Sequence, residues 1–290
     1  MANRTSAVLF SPTRRINLTD VPRYLFRVHA PSSPGQTSED EVSSSAAMAG
    51  YDYATTDMLT WDGEDAAEML NNHLRGWSRE RDNLMSWTSS LLFALEYAFY
   101  RNIREPTADL TDIRIYVVDT MGMAQGSFLP DLSLIDHLAE WDSHRPRHMR
   151  LSQIQHLRRF TDYNFGEYLC QGTLSIAGRA TSTSLQNLID HGILRLVPEL
   201  AERNDDLELA KRVCRLRQRF FGFPHRPSKA GTRIALVIAQ GCFGEKWALP
   251  MMAALLSLHK RHRNQDTVMS AFEVNFSGNY ASPTSLFRVF

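Results

Sequence analysis

Residues 91–100, LLFALEYAFY, are apolar on almost every side of a helix, and Glu96 is their only charge. A helix with no polar face cannot lie on a surface, so this one has to be buried between layers. The chain of 290 residues is long enough to supply such layers, as one large domain or two smaller ones. Immediately before the helix comes LMSWT, a short extended piece, and then Ser89 and Ser90. Either serine can cap a helix running from about Leu91 to Arg101. Capping uses one hydroxyl, whereas Ser86, Thr88, Ser89 and Ser90 offer four.

The neighbouring segments supply the layers. RYLFRVHA (23–30) lies between Pro22 and Pro31, is rich in aromatic and β-branched residues, and reads as a strand. DIRIYVVDT (112–120) alternates at Ile113, Ile115 and Val117, and GEYLCQGTLSI (166–176) reads as one further strand. Residues 31–50 are rich in Ser, Pro and Gly and read as a flexible loop. GEDAAEMLNNHLRGW (63–77), LSLIDHLAEW and RLSQIQHLRRF read as helices, the first with acids early and Arg late. From about Ser184 the chain reads as helical, including LELAKRVCRLRQRFFGF and a long apolar stretch from Thr232. The expected class is α+β with a mainly α-helical C-terminal extension, divided into a lead-in (1–22), a mixed domain (23–183) and a helical region (184–290).

Lys plus Arg number 32 and Asp plus Glu 32, so no whole-chain field attracts nucleic acid or an anionic membrane. Cys170, Cys214 and Cys242 lie far apart and form no C-x-x-C pair, which suits a reducing compartment and offers no zinc knuckle. The apolar stretch Ala7–Phe10 is too short for a signal-peptide core, and no longer run spans a bilayer. A cytoplasmic or nuclear protein without a membrane partner is expected.

Three polar positions fall on three strands. Period two puts Arg27 with Leu25 and His29 on one face of the first strand, where a guanidinium needs an anionic partner. The SWTSS cluster stands at a strand-to-helix junction. Glu167 opens the later strand and shares a face with Leu169 and Gln171, where it is a solvated edge carboxylate, a partner of Arg27, or something more specific.

In this order, YLFRVHAPSSPG, SWTSSLLFALEYAFYR and GEYLCQGTL resemble the Arg–Ser–Glu class of ADP-ribosyltransferases, the relatives of cholera and heat-labile enterotoxins. They also resemble a fungal group of uncharacterised domains with the same three stations. The resemblance spans about residues 23–178 and implies a split β-sheet core with flanking helices and NAD as a substrate. It further implies that Glu167 and Ser86 are catalytic and that Arg27, Thr88 and Ser89 contact the dinucleotide. Arg binds phosphate oxygens through paired N–H donors. Breaking the nicotinamide–ribose bond builds positive charge that a carboxylate stabilises. On this pattern Ser86 orients Glu167 and Thr88 lines the nicotinamide side. The acceptor is an unnamed protein or nucleic acid.

Members of the class that modify arginine or asparagine carry a second Glu or Gln two residues before the catalytic Glu. Here that position is Phe165, which leaves NAD hydrolysis, another acceptor or a silent interaction module open. Trp87, in the middle of the triplet, alternates away from Ser86 and Thr88 towards the core. His144 and His148 flank Pro146 in a solvated loop, so no metal is expected. GCFGEK lacks the spacing of a phosphate loop. The basic helix 211–221 has an apolar stripe of Val213, Leu216 and Phe220, and packing on the domain is favoured over a nucleic-acid surface.

Overall fold

The computed structural model describes residues 7–11, 16, 18, 21–77, 80–105, 107–202, 208–222, 228–260 and 266–276. The other residues, among them most of the lead-in 1–22, lie outside this description. The chain opens with β1 (Tyr24–His29), β2 (Gln36–Thr37), β3 (Glu41–Ser43) and α1 (Ser45–Met48). Next come α2 (Gly63–Leu74), β4 (Leu84–Thr88), α3 (Leu91–Arg104) and β5 (Arg114–Asp119). β6 (Leu129–Pro130), α4 (Asp131–Leu138), α5 (Leu151–Phe160), β7 (Glu167–Gln171), β8 (Thr173–Ser175) and β9 (Ala180–Ser184) follow. The rest is helical: α6 (Leu185–Asp190), α7 (Ile193–Leu196), α8 (Leu209–Gly222), α9 (Lys229–Phe243), α10 (Glu245–Leu256) and α11 (Asp266–Phe276). The protein is therefore mixed α+β, with antiparallel sheet and helices in its N-terminal part and helices towards its C-terminus.

The residues group into two compact units, and the division passes through β1 after Arg27 and through β5 before Val118. The first unit holds residues 1–27, 32–89 and 118–180. In it β6, β7, β4 and β1 lie side by side in that order, and β2, β3 and β8 form a second, three-stranded sheet. β4 and β7 are antiparallel with Leu84 opposite Gln171, Ser86 opposite Leu169 and Thr88 opposite Glu167. Directly paired residues share a face, so Leu84, Ser86 and Thr88 lie on the same side as Glu167, Leu169 and Gln171. On that side α2, α4 and α5 close a core with Leu70, Leu84, Leu129, Ile135, Ile154 and Leu169. Trp87 takes the other side, is 1% exposed, and meets Phe128 edge-on at 5.7 Å.

α2 begins where Asp62 accepts a hydrogen bond from the Glu64 amide, with Glu64 and Asp65 in the first turn. Its buried stripe of Ala66 and Leu70 runs on to His73 in the last turn.

The second unit holds residues 28–31, 90–117 and 181–290. Ser90 caps α3, its Oγ accepting from the Phe93 amide at 3.2 Å, and the helix continues to Arg104. Glu96, 1% exposed, receives Arg212 Nε of α8 at 2.6 Å. This ion pair is what lets an otherwise apolar helix carry a charge inside. Val213, Leu216 and Phe220 form the buried face of α8, as the stripe predicts.

Two sequence expectations need correction, and two further details were not read from the sequence. Residues 31–50 are not a loop throughout, because β2 and β3 form a hairpin and Ser44 caps α1. The pairing of Val42 with Leu174 ties this hairpin to a segment over a hundred residues on. Residues 166–176 are not one strand but two, in different sheets. The break is Gly172, at φ +61°, where a β-carbon would stand 2.5 Å from the Ala54 carbonyl oxygen. β9 precedes the helical region, and Arg114 of β5 reaches it by a 2.7 Å bond from Nη2 to Ser182. Gly244 splits the long apolar stretch from Thr232 into α9 and α10.

Candidate active site

Ser86 and Glu167 come from neighbouring strands, two residues out of direct register on the same face, and this diagonal brings their side chains into contact. Ser86 Oγ donates to Glu167 Oε1 at 2.5 Å. The Ser86 hydroxyl has a second partner, His73 Nε2 at 2.7 Å, while His73 Nδ1 lies 2.6 Å from Asp82 Oδ2. Asp82 itself is anchored by the Leu84 amide at 2.9 Å on Oδ1.

A hydroxyl has one proton, and here Ser86 gives it to Glu167. His73 Nε2 is then the donor to Ser86, and Nδ1 is the donor to Asp82. A ring that donates from both nitrogens is an imidazolium. Electrostatics agrees. Burial alone would lower the His73 pKa, but the charge and hydrogen bond of Asp82 and the charge of Glu167 outweigh burial and the opposing Arg27, and raise it.

The other oxygen of Glu167 is taken by an arginine of α5. Arg158 Nη2 donates to Glu167 Oε2 at 2.7 Å, and Nη1 pairs with Asp131 in the first turn of α4. Burial works to raise the Glu167 pKa. The charges of Arg158 and His73 and the bonds from Ser86 and Arg158 overcome it, and the net shift is downward. Asp131 goes the other way: burial, with the Glu167 charge adding to it against Arg158, pushes it up to about 7.

The remaining residues picked out by sequence take up distinct places. Arg27 is 8% exposed; its Nη1 donates to the Ser86 carbonyl at 2.8 Å and its Nε to Thr37 Oγ1 at 3.0 Å. It therefore meets the Ser86–Glu167 pair through the backbone of Ser86. Thr88 Oγ1 donates to the Phe165 carbonyl at 2.6 Å, and the Ser89 amide to the Gly166 carbonyl at 2.8 Å. These two residues pin the turn that launches β7. Gly166 makes that turn at φ +63°, where a β-carbon would collide with the Ser89 side chain. Glu167 is not a solvated edge carboxylate, because α5 covers it with Arg158. His144 and His148 are exposed, and among the described residues no group of three or more His, Cys, Asp or Glu is placed to hold a metal.

His73, Asp82, Asp131 and Arg158 were missed by sequence reasoning, although a signal existed. His73 continues the stripe Ala66–Leu70, Arg158 continues Leu151–Ile154, and Asp131 heads Leu134–Leu138, each at helical spacing. An ionisable residue on an apolar stripe has to find a charged partner inside. A cavity of about 320 Å³ in the same unit, lined by Val21, Arg23, Met121 and Phe128 among others, includes none of these residues.

The fold and the site together define a class: an α+β protein whose antiparallel sheet carries a part-buried Asp–His–Ser–Glu–Arg hydrogen-bonded chain. Residues 20–177 match the family described as Domain of unknown function (DUF7587), and the chain belongs to that family. No curated protein and no solved structure matches the chain. Among the described residues no helix is long and apolar enough to cross a membrane.

Proposed function

We propose that this protein cleaves the nicotinamide–ribose bond of NAD, as a mono-ADP-ribosyltransferase or an NAD glycohydrolase of the Arg–Ser–Glu type. The observation that carries the reading is the 2.5 Å hydrogen bond from Ser86 to Glu167 across adjacent strands, with Arg27 on the Ser86 carbonyl. Three residues chosen from sequence order alone meet within one chain of contacts. In this reading Glu167 is the ionised carboxylate that stabilises positive charge on the ribose as the bond breaks. Ser86 holds it in place, and the His73–Asp82 pair directs the Ser86 proton towards it. Nicotinamide leaves with the electron pair of the broken bond, and water or an acceptor nucleophile bonds to the anomeric carbon. Arg27 is the dinucleotide phosphate ligand. Phe165 in place of a second Glu or Gln argues against arginine or asparagine as the acceptor. The test is nicotinamide release from NAD with and without protein or nucleic-acid extracts. Release alone marks a glycohydrolase, label transfer marks a transferase, and neither, in wild type, removes the reading in favour of a silent interaction module.

A second reading rests on the Asp82–His73–Ser86 distances, which are those of a serine-nucleophile triad. Glu167 weighs against it: the carboxylate takes the Ser86 proton and puts negative charge where an acyl-transfer oxyanion would need donors. Stoichiometric labelling of Ser86 by a fluorophosphonate would favour the triad; absence of labelling leaves the NAD reading in place.

A further inference from the structure

The guanidinium of Arg158 sits on the carboxylate that the proposed chemistry needs. Of the two Glu167 oxygens, Oε1 receives Ser86 and Oε2 receives Arg158 at 2.7 Å. A carboxylate in contact with a guanidinium presents almost no net charge to a third group. A cation forming on the ribose next to Glu167 would also meet the positive charge of Arg158. The docked arrangement therefore suits holding Glu167 and opposes using it.

The surroundings give Arg158 a second seat. Its other terminal nitrogen pairs with Asp131, 3% exposed at the start of α4. The side chain can leave Glu167 while staying on Asp131, with no charge left alone. The route is short: residues 161–166 are all that separates the end of α5 from Glu167, and they form neither helix nor strand. The last turn of α5 faces solvent in part, with Leu157 38% and Phe160 74% exposed, and Arg159 ties it to Asp136 of α4. His73, Ser86 and Arg158 face Glu167 and the Asp131 charge acts on it from α4; of these, Arg158 comes from α5.

We infer that Arg158 is an autoinhibitory latch: docked on Glu167 it holds turnover low, and each turnover requires it to retreat to Asp131. This inference rests on the NAD-cleaving reading of the same site. Arg158 is a regulatory residue in this scheme, and Glu167 remains the catalytic one.

The experiment compares nicotinamide release from NAD by the full chain and four variants at pH 8, where Asp131 is charged. Circular dichroism and melting confirm that each is folded. Arg158→Gln removes the latch and should raise turnover tenfold or more. Asp131→Asn removes the second seat, tightens the latch and should lower turnover several-fold. Glu167→Gln/Arg158→Gln should lose the gain entirely. Should Arg158→Gln not fold, Asp131→Asn/Arg158→Gln removes both charges together and should show the same rise. A purely structural Arg158 predicts that Arg158→Gln and Asp131→Asn both lower turnover, and that outcome overturns the latch. Glu167-dependent release in wild type that Arg158→Gln does not increase also overturns the latch while leaving the NAD reading standing. Release by none of the folded proteins overturns both.

Discussion

Replacing Arg212 by Leu should destabilise the protein by about 3–4 kcal/mol at pH 7, and the loss should shrink to about 1 kcal/mol at pH 5. The reason lies in Glu96, the one acidic residue of α3 and its one fully buried charge. It is 1% exposed and holds Arg212 Nε at 2.6 Å, while Arg212 Nη2 also donates to the carbonyls of Glu199 and Leu200. Removing one partner of a buried pair typically costs about 3–5 kcal/mol, because the other charge is left in a poorly polarisable interior. That cost has a ceiling, since a stranded carboxylate can take up a proton. Neutralising a carboxyl of ordinary pKa costs about 1.4 kcal/mol per pH unit, hence about 3.7 kcal/mol at pH 7 and about 1 kcal/mol at pH 5. The two estimates meet at neutral pH, and only the second depends on pH. Urea unfolding followed by circular dichroism at both pH values measures the difference, with Glu96→Gln/Arg212→Leu as the variant in which no charge is stranded. It should recover most of the loss at pH 7. A loss of less than about 1 kcal/mol at pH 7, or one that is the same at both pH values, would refute the argument that Arg212 exists to neutralise Glu96.

Glu167→Gln keeps size and one acceptor oxygen but sets an amide NH2 against one of the two donors, Ser86 or Arg158; in protein that circular dichroism shows to be folded, it should lower nicotinamide release about 10²–10³-fold with little change in NAD affinity, as steady-state kinetics and calorimetry would report. His73 has a raised folded pKa, so its contribution to stability is fully present below about 6.5 and is lost as pH rises through the folded value. In His73→Leu, urea midpoints between pH 6 and 9 should lose that decline. Asp131 is protonated in the folded state up to about pH 7, against 3.8 for the ordinary group, so stability falls as pH rises through that window. Asp131→Asn should flatten the slope of urea midpoints taken between pH 4 and 7. Reversing Arg215 and Arg219 should leave oligonucleotide binding at background at low salt, since Arg219 pairs with Glu199 and Glu202; a strong salt-sensitive signal lost in the variant would revive the nucleic-acid reading.

The sequence by itself determined the elements whose pattern is local. Aromatic and β-branched residues between Pro22 and Pro31 specify β1, and Ser90 followed by ten nearly apolar residues specifies a capped, buried α3. The order Arg27, Ser86, Glu167 was also legible, as was the inward turn of Trp87, because strand alternation is a property of neighbours. What only the tertiary structure decided is who stands beside whom. Asp82 reaches His73 from nine residues away, Ser86 reaches Glu167 from 81, and Arg212 reaches Glu96 from 116. The β2–β3 hairpin looked like a loop because its anchor, Val42 against Leu174, lies in a distant segment. Residues 166–176 looked like one strand because the close approach of the distant Ala54 carbonyl to Gly172, where the chain changes sheet, leaves no local mark. Ionisable residues on apolar stripes announced that partners existed. Their identity, and the covering of the Glu167 carboxylate by Arg158, follow from sheet register and helix packing, which bring distant side chains together and leave no trace in local spacing.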